Sequence, residues 1–210
     1  PSGNRVGSDI ASVVSRCIAS MDDQHNATHR EDALRWRDTE SEHVTEKREQ
    51  YMLDAVQQEG FDLVFLDFEN GTRSIFQQAK LLQYVIEQCR DYRTGVDPLI
   101  VVGPSMGGVV ARETLRSMEL EGMDHCVRLF AALDSPFRGA YLPIALQEAI
   151  AFFSEFSVDA NLLLEALNSP AASELLVGSP FHSANIRSNI EAHQEQQGYP
   201  TECVNMAIVN

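Results

Sequence analysis

A chain of 210 residues with 44% hydrophobic composition can bury a substantial core and does not read as disordered. Its formal net charge of −15 excludes nucleic acid as a natural partner, because the phosphates would be repelled. The apolar stretches are strand-length or broken by charges, so no integral membrane segment and no signal peptide is read from them.

Cys17, Cys89, Cys126 and Cys203 are far apart and form no C-x-x-C pair. They read as scattered small hydrophobes rather than a zinc site or disulfide framework, and no metal or organic cofactor is expected.

Residues 1–7 read as loop, and Ser8 or Asp9 can cap a first helix carrying Ile10, Val13, Val14, Cys17 and Ile18 on one face. Asp22 to Glu42 is almost entirely polar and reads as a solvated excursion; the spacing of His25, His29, Asp32 and Asp38 is too irregular for a metal site. A second helix is predicted from Ser41 through Tyr51, Met52 and Val56 to a stop at Gly60. Phe61–Phe68 then reads as a strand with Asp67 and Glu69 at its carboxyl end, where open α/β sheets place ligand sites; they read as loop-solvating or capping groups, with a catalytic role as the alternative. Ile75, Phe76, Ala79, Leu82, Val85, Ile86 and Cys89 recur at helical spacing, and that helix stops near Arg93-Thr-Gly95.

Leu99 to Val102 follow the break at Asp97-Pro98 and fit a strand buried on both faces of a mostly parallel sheet. Past the turn, Val109, Val110, Leu115 and Met118 recur at helical spacing, so the period changes at Ser105. The turn, Gly103-Pro104-Ser105-Met106-Gly107, satisfies G-x-S-x-G between strand and helix, the context of a nucleophile elbow. Such a turn forces the serine backbone into a strained conformation, and side chains at either Gly103 or Gly107 are expected to collide with neighbouring backbone. The N–H of Met106 then lies where it can receive an oxyanion. The bland alternative is a glycine-rich turn whose serine only caps the helix.

Val127–Leu133 forms the next strand and delivers Asp134-Ser-Pro136 to the same sheet edge. Strands alternating with helices imply right-handed crossovers and a parallel sheet flanked by helices. Asp134 is placed to be the acid of a serine triad, or else to tie down its own turn through an Asx-type bond. Residues 141–195 read as a helical insertion, rich in Ile144, Leu146, Phe152, Phe153 and Phe156, that serves as a lid or acyl pocket or simply packs the core. The chain closes on a further strand, Cys203–Asn210.

With Gly103-Pro-Ser-Met-Gly-Gly-Val-Val-Ala-Arg112 and Arg128-Leu-Phe-Ala-Ala-Leu-Asp-Ser-Pro136 both in hand, the sequence resembles the lipase and esterase branch of the α/β-hydrolases. It is most similar to bacterial, often secreted, lipase-like proteins related to inositol deacylases. Phe61–Phe68 with Asn70-Gly71, Met123–Leu129, Asn168–Ala172 and Gly198-Tyr-Pro200 extend the likeness over most of the chain from about residue 50.

The resemblance implies a partial α/β-hydrolase domain over 1–210, Ser105 as nucleophile, Met106 as an oxyanion donor and Asp134 as triad acid. One departure is Phe137, where the group usually has histidine after Ser-Pro. The triad histidine and the second oxyanion donor are expected outside this sequence, the histidine beyond Asn210; His182 and His193 have the right order but read as surface residues, and His125 lies at the wrong sheet edge. A secreted or periplasmic protein acting on a small-molecule ester or lipid follows from the same likeness. A binding module without catalysis, and an acyltransferase or thioesterase using the same serine, are the rival readings.

Overall fold

The computed structural model describes residues 58–68, 71–93 and 95–209. The two helices expected before Gly60 and the polar excursion between them lie outside the described residues. The chain divides into two compact units, one of Pro1–Glu69 with Glu87–Val96, the other of Asn70–Ile86 with Asp97–Asn210. The sheet and every site described below belong to the second.

In chain order the elements are α1 (Ile75–Tyr92), β1 (Leu99–Pro104), α2 (Met106–Leu120), β2 (Val127–Leu133), α3 (Ile144–Phe153), α4 (Val158–Leu167), α5 (Pro170–Leu175), α6 (Ala184–Gln197) and β3 (Val204–Ile208). The strands form a parallel sheet in the order β1-β2-β3, with Val101 opposite Phe130 and Ala131 opposite Met206. This is an α/β fold with a parallel sheet and flanking helices, as the alternation of periods predicts.

Phe61–Phe68 is a correction to the sequence reading, because it carries no strand. Its aliphatic and aromatic run has strand propensity, but a strand exists only where a ladder partner accepts its hydrogen bonds, and here Phe65 is 62% exposed. Conversely, the polar stretch around Arg187 and His193 folds as the 14-residue α6. Its start is capped by Ser183, whose hydroxyl accepts from the Asn185 N–H.

The core lies between α2 and one face of the sheet. Ala111, Leu115 and Met118 of α2 pack with Ile86, Val127, Phe130 and Ala132. Burying side chains the size of Leu115, Met118 and Phe130 contributes about 1.5–3 kcal/mol each. The alternate strand residues Ile100, Val102, Val204, Met206 and Ile208 are exposed, so the other face is apolar without being covered by a described helix.

Long-range polar contacts fasten the helices around this core. Glu174 of α5 caps α1, its carboxylate accepting from the Ile75 N–H at 2.6 Å and from the Ser74 hydroxyl at 2.7 Å. One orphan backbone N–H at a positively polarised helix end is thus satisfied by a side chain 99 residues away, which also holds the hydroxyl of the preceding serine. Arg112 of α2 donates to the carbonyls of Gln194 and Gly198, fixing the end of α6, and lies 3.9 Å over the Tyr199 ring. Burial lowers the Arg112 pKa, although a guanidinium has ample margin to stay charged.

At the amino end of the sheet, Glu119 gathers donors from across the fold. Its carboxylate accepts from the N–H groups of Thr201 (2.7 Å) and Glu202 (2.8 Å) and from Arg116 (2.7 Å). His125 contributes a longer contact of 3.5 Å. Because His125 Nδ1 accepts from the Val127 N–H, the ring is neutral and its proton sits on Nε2, facing Glu119. Burial alone would raise the Glu119 pKa, but the donors, led by the Glu202 N–H and Arg116, outweigh it and hold the carboxyl below its ordinary value.

Candidate active site

Ser105 is the joint between β1 and α2, with φ 48° and ψ −124°. A non-glycine residue at positive φ costs on the order of 1–3 kcal/mol and persists only where its surroundings hold it. Two bonds do so here: the Ser105 N–H donates to the Leu133 carbonyl at 2.8 Å, and its own carbonyl accepts from the Gly108 N–H at 3.1 Å. Ser105 is exposed and its side chain makes no capping bond to α2. The hydroxyl therefore does not act as a helix cap. Met106 begins α2, so its N–H has no acceptor within the helix and lies in the positive end of the dipole.

The glycines of this turn differ from the sequence expectation. A Cβ on Gly103 would stand 2.6 Å from Gly107 backbone atoms and from the Gly108 Cα, so Gly103 is required by close approach. A Cβ on Gly107 would meet only the Pro104 Cδ at 3.5 Å, an ordinary contact. The crowding expected there falls on Gly108, whose added Cβ would come within 2.0 Å of the Ser135 Oγ and 2.9 Å of the Gly103 carbonyl. The five-residue pattern stops one residue short of it.

Asp134 follows the last residue of β2 and takes φ 47°, a conformation that aspartate tolerates better than most residues. Its N–H donates to the Ile208 carbonyl at 2.7 Å. Its carboxylate is exposed and, among the described residues, receives no hydrogen bond. The register pairs Pro104 with Leu133, so Ser105 and Asp134 emerge side by side at one sheet edge.

The histidines after Asp134 are engaged elsewhere. His182 Nε2 lies 2.6 Å from the Leu167 carbonyl and His193 Nε2 lies 3.1 Å from the buried Glu113 carboxylate, so each nitrogen carries the proton and donates. His125, held by Glu119, precedes β2 and sits at the opposite edge. Phe137 occupies the position that resemblance would give to histidine, and its ring packs edge-on against Phe130 and Tyr199. It serves the core and the Arg112 stack there, with the Arg112 guanidinium carbon 5.7 Å from its ring centre.

Later in the chain, Phe152 and Phe153 of α3 and Phe156 in the turn before α4 are 66%, 55% and 74% exposed, with the ring centres of Phe153 and Phe156 5.2 Å and 5.9 Å from that of Phe152. Tyr141, Leu162 and Leu163 are exposed as well. The acyl-pocket and core-packing readings of this segment thus part: the apolar side chains face outward, with Gln147 and Leu167 among its buried residues. Among the described residues no group of three or more His, Cys, Asp or Glu could hold a metal ion, and no helix is long and apolar enough to cross a membrane.

The class of architecture is α/β, a parallel sheet with flanking helices. Among solved structures the chain is similar to the mature form of Bacillus licheniformis lipase BlEst2, with a TM-score of 0.50 and 16% identity over 74% of this chain. The propeptide form of that lipase matches with a TM-score of 0.49 and 14% identity, covering 74% of this chain and 30% of the other. The chain spans 56% of the length of the mature lipase. No protein-family model matches the sequence, and no curated protein matches it. At this identity the likeness speaks for the fold and leaves the chemistry to the residues.

Proposed function

We propose that the protein is a serine hydrolase of carboxylic esters, with Ser105 as nucleophile. The observation that carries this reading is the elbow itself: a serine held at φ 48° with an exposed hydroxyl that bonds neither helix nor turn. A residue serving only as a cap would relax to negative φ and bond the first turn, so the strain is consistent with function.

In this reading the Ser105 Oγ attacks the ester carbonyl, its proton passes to a base, and the carbonyl electrons move onto oxygen. The Met106 N–H receives that oxyanion. Collapse expels the alcohol and leaves an acyl-serine, which water cleaves to the acid. Asp134, beside Ser105 at the sheet edge, is the acid that orients the base. The base in this reading is a histidine; His182 and His193 each commit Nε2 elsewhere, to the Leu167 carbonyl and the Glu113 carboxylate, and His125 lies at the opposite sheet edge.

The helical insertion over 141–195 acts as a lid-like element, and its α3–α4 hairpin favours an apolar acyl chain, because the exposed aromatic cluster there offers cohesive apolar surface. Export from the cytoplasm belongs to the same proposal. A fluorophosphonate probe tests it. A covalent adduct at Ser105, absent from Ser105→Ala, supports the hydrolase; a folded full-length protein that takes no label refutes it and favours a binding module.

A further inference from the structure

We propose that Ser135 is a positioning residue whose hydroxyl locks the Asp134 loop onto the elbow and so sets the placement of Ser105. This rests on reading Ser105 as the nucleophile. The Ser135 Oγ lies 3.3 Å from the Gly103 carbonyl and 3.4 Å from the Leu133 carbonyl. These two oxygens flank the joint: Gly103 lies in β1 two residues before Ser105, and the Leu133 carbonyl accepts the N–H of Ser105 itself. A hydroxyl has one proton to give, so it is shared between two acceptors on adjacent strands; the bond to Gly103 ties the loop after β2 to β1 just before the elbow, and the bond to Leu133 holds the hydroxyl against its own strand.

The fit is also steric. The space a side chain on Gly108 would fill is taken by Ser135, with 2.0 Å from that imagined Cβ to Oγ and 2.8 Å to the Ser135 Cβ. The first turn of α2 therefore seats directly on Ser135, and Gly108 is glycine because Ser135 is there. Asp134 is covalently next to Ser135, so one anchor places nucleophile and acid together. No buried apolar neighbour need change for this lock to open, which separates it from the core.

Ser135→Ala removes the hydroxyl and keeps the Cβ contact, so the fold is retained. Amide hydrogen exchange reads the lock without reference to activity. The expected result is that the Ser105 amide exchanges faster by about fivefold, the loss of one neutral hydrogen bond, while amides of Leu99–Val102 and Val127–Phe130 keep their rates. With p-nitrophenyl butyrate as substrate, kcat falls by about tenfold and KM is unchanged, because a displaced nucleophile weakens the transition state alone.

An unchanged Ser105 exchange rate overturns the proposal, as does equal acceleration across the sheet, which marks general loosening. An unchanged kcat in an active protein overturns it too. Should the unsubstituted protein neither turn over the ester nor take a fluorophosphonate, the hydrolase reading fails separately and the exchange rates alone decide whether Ser135 holds the elbow.

Discussion

Ser105 and Asp134 stand one residue past the ends of two adjacent parallel strands, and both adopt positive φ, 48° and 47°. Each N–H still donates one rung further along the sheet, Ser105 to the Leu133 carbonyl at 2.8 Å and Asp134 to the Ile208 carbonyl at 2.7 Å. The strands thus continue as hydrogen-bonded ladders while their backbones turn sharply. A hydroxyl and a carboxylate are delivered to the same edge by one repeated device, and its strain is the first thing mutation can test.

Ser105→Gly is expected to abolish fluorophosphonate labelling while raising stability by about 1 kcal/mol. Glycine adopts φ 48° without the strain of a Cβ, and the relief of about 1–3 kcal/mol exceeds its extra chain entropy in the unfolded state. Urea unfolding measures it. A loss of stability would mean that the elbow stores no strain.

The two elbow glycines should separate cleanly. Gly103→Ala forces a Cβ to within 2.6 Å of backbone and is expected to cost about 2–3 kcal/mol or more. Gly107→Ala meets only an ordinary contact within α2 and is expected to be neutral or to stabilise by up to about 1 kcal/mol through helix propensity. Thermal midpoints of the pair, compared in one buffer, give the answer.

Glu119 links stability to acid. Its folded pKa is depressed, so its contribution is complete above the unfolded value of about 4.3 and is lost as pH falls through the lower folded value. Glu119→Gln should flatten the loss of stability below about pH 4.3 and destabilise the protein at neutral pH, because an amide cannot accept from all these donors. Denaturant midpoints across pH 3–7 for both proteins check this; parallel profiles would exclude Glu119 as the linked group.

The exposed ring cluster carries the substrate prediction. Phe152→Ser and Phe156→Ser should leave the unfolding midpoint nearly unchanged, since both side chains are mostly in solvent. Turnover of a long-chain p-nitrophenyl ester should fall by about tenfold, with the acetyl ester unaffected, in proportion to the apolar contact removed. Equal losses on both esters would take the hairpin out of substrate selection.

Local sequence determined β1, the elbow, α2 and β2, because each is written in a period that its own residues impose: aliphatic Leu99–Val102, the glycines around Ser105, and Val109, Val110, Leu115 and Met118 on one helical face. Adjacency of Ser105 and Asp134 followed from the parallel order of those strands. Tertiary structure alone decided the rest. Phe61–Phe68 has strand composition but no ladder, Gly108 is crowded only because Ser135 arrives from another strand, and Glu174 caps a helix 99 residues away. His182 and His193 were legible as candidates by chain order, yet their protons are spent on Leu167 and Glu113. Periodicity records what a residue does within its own element, whereas partners brought together by folding leave no mark in the spacing of either one.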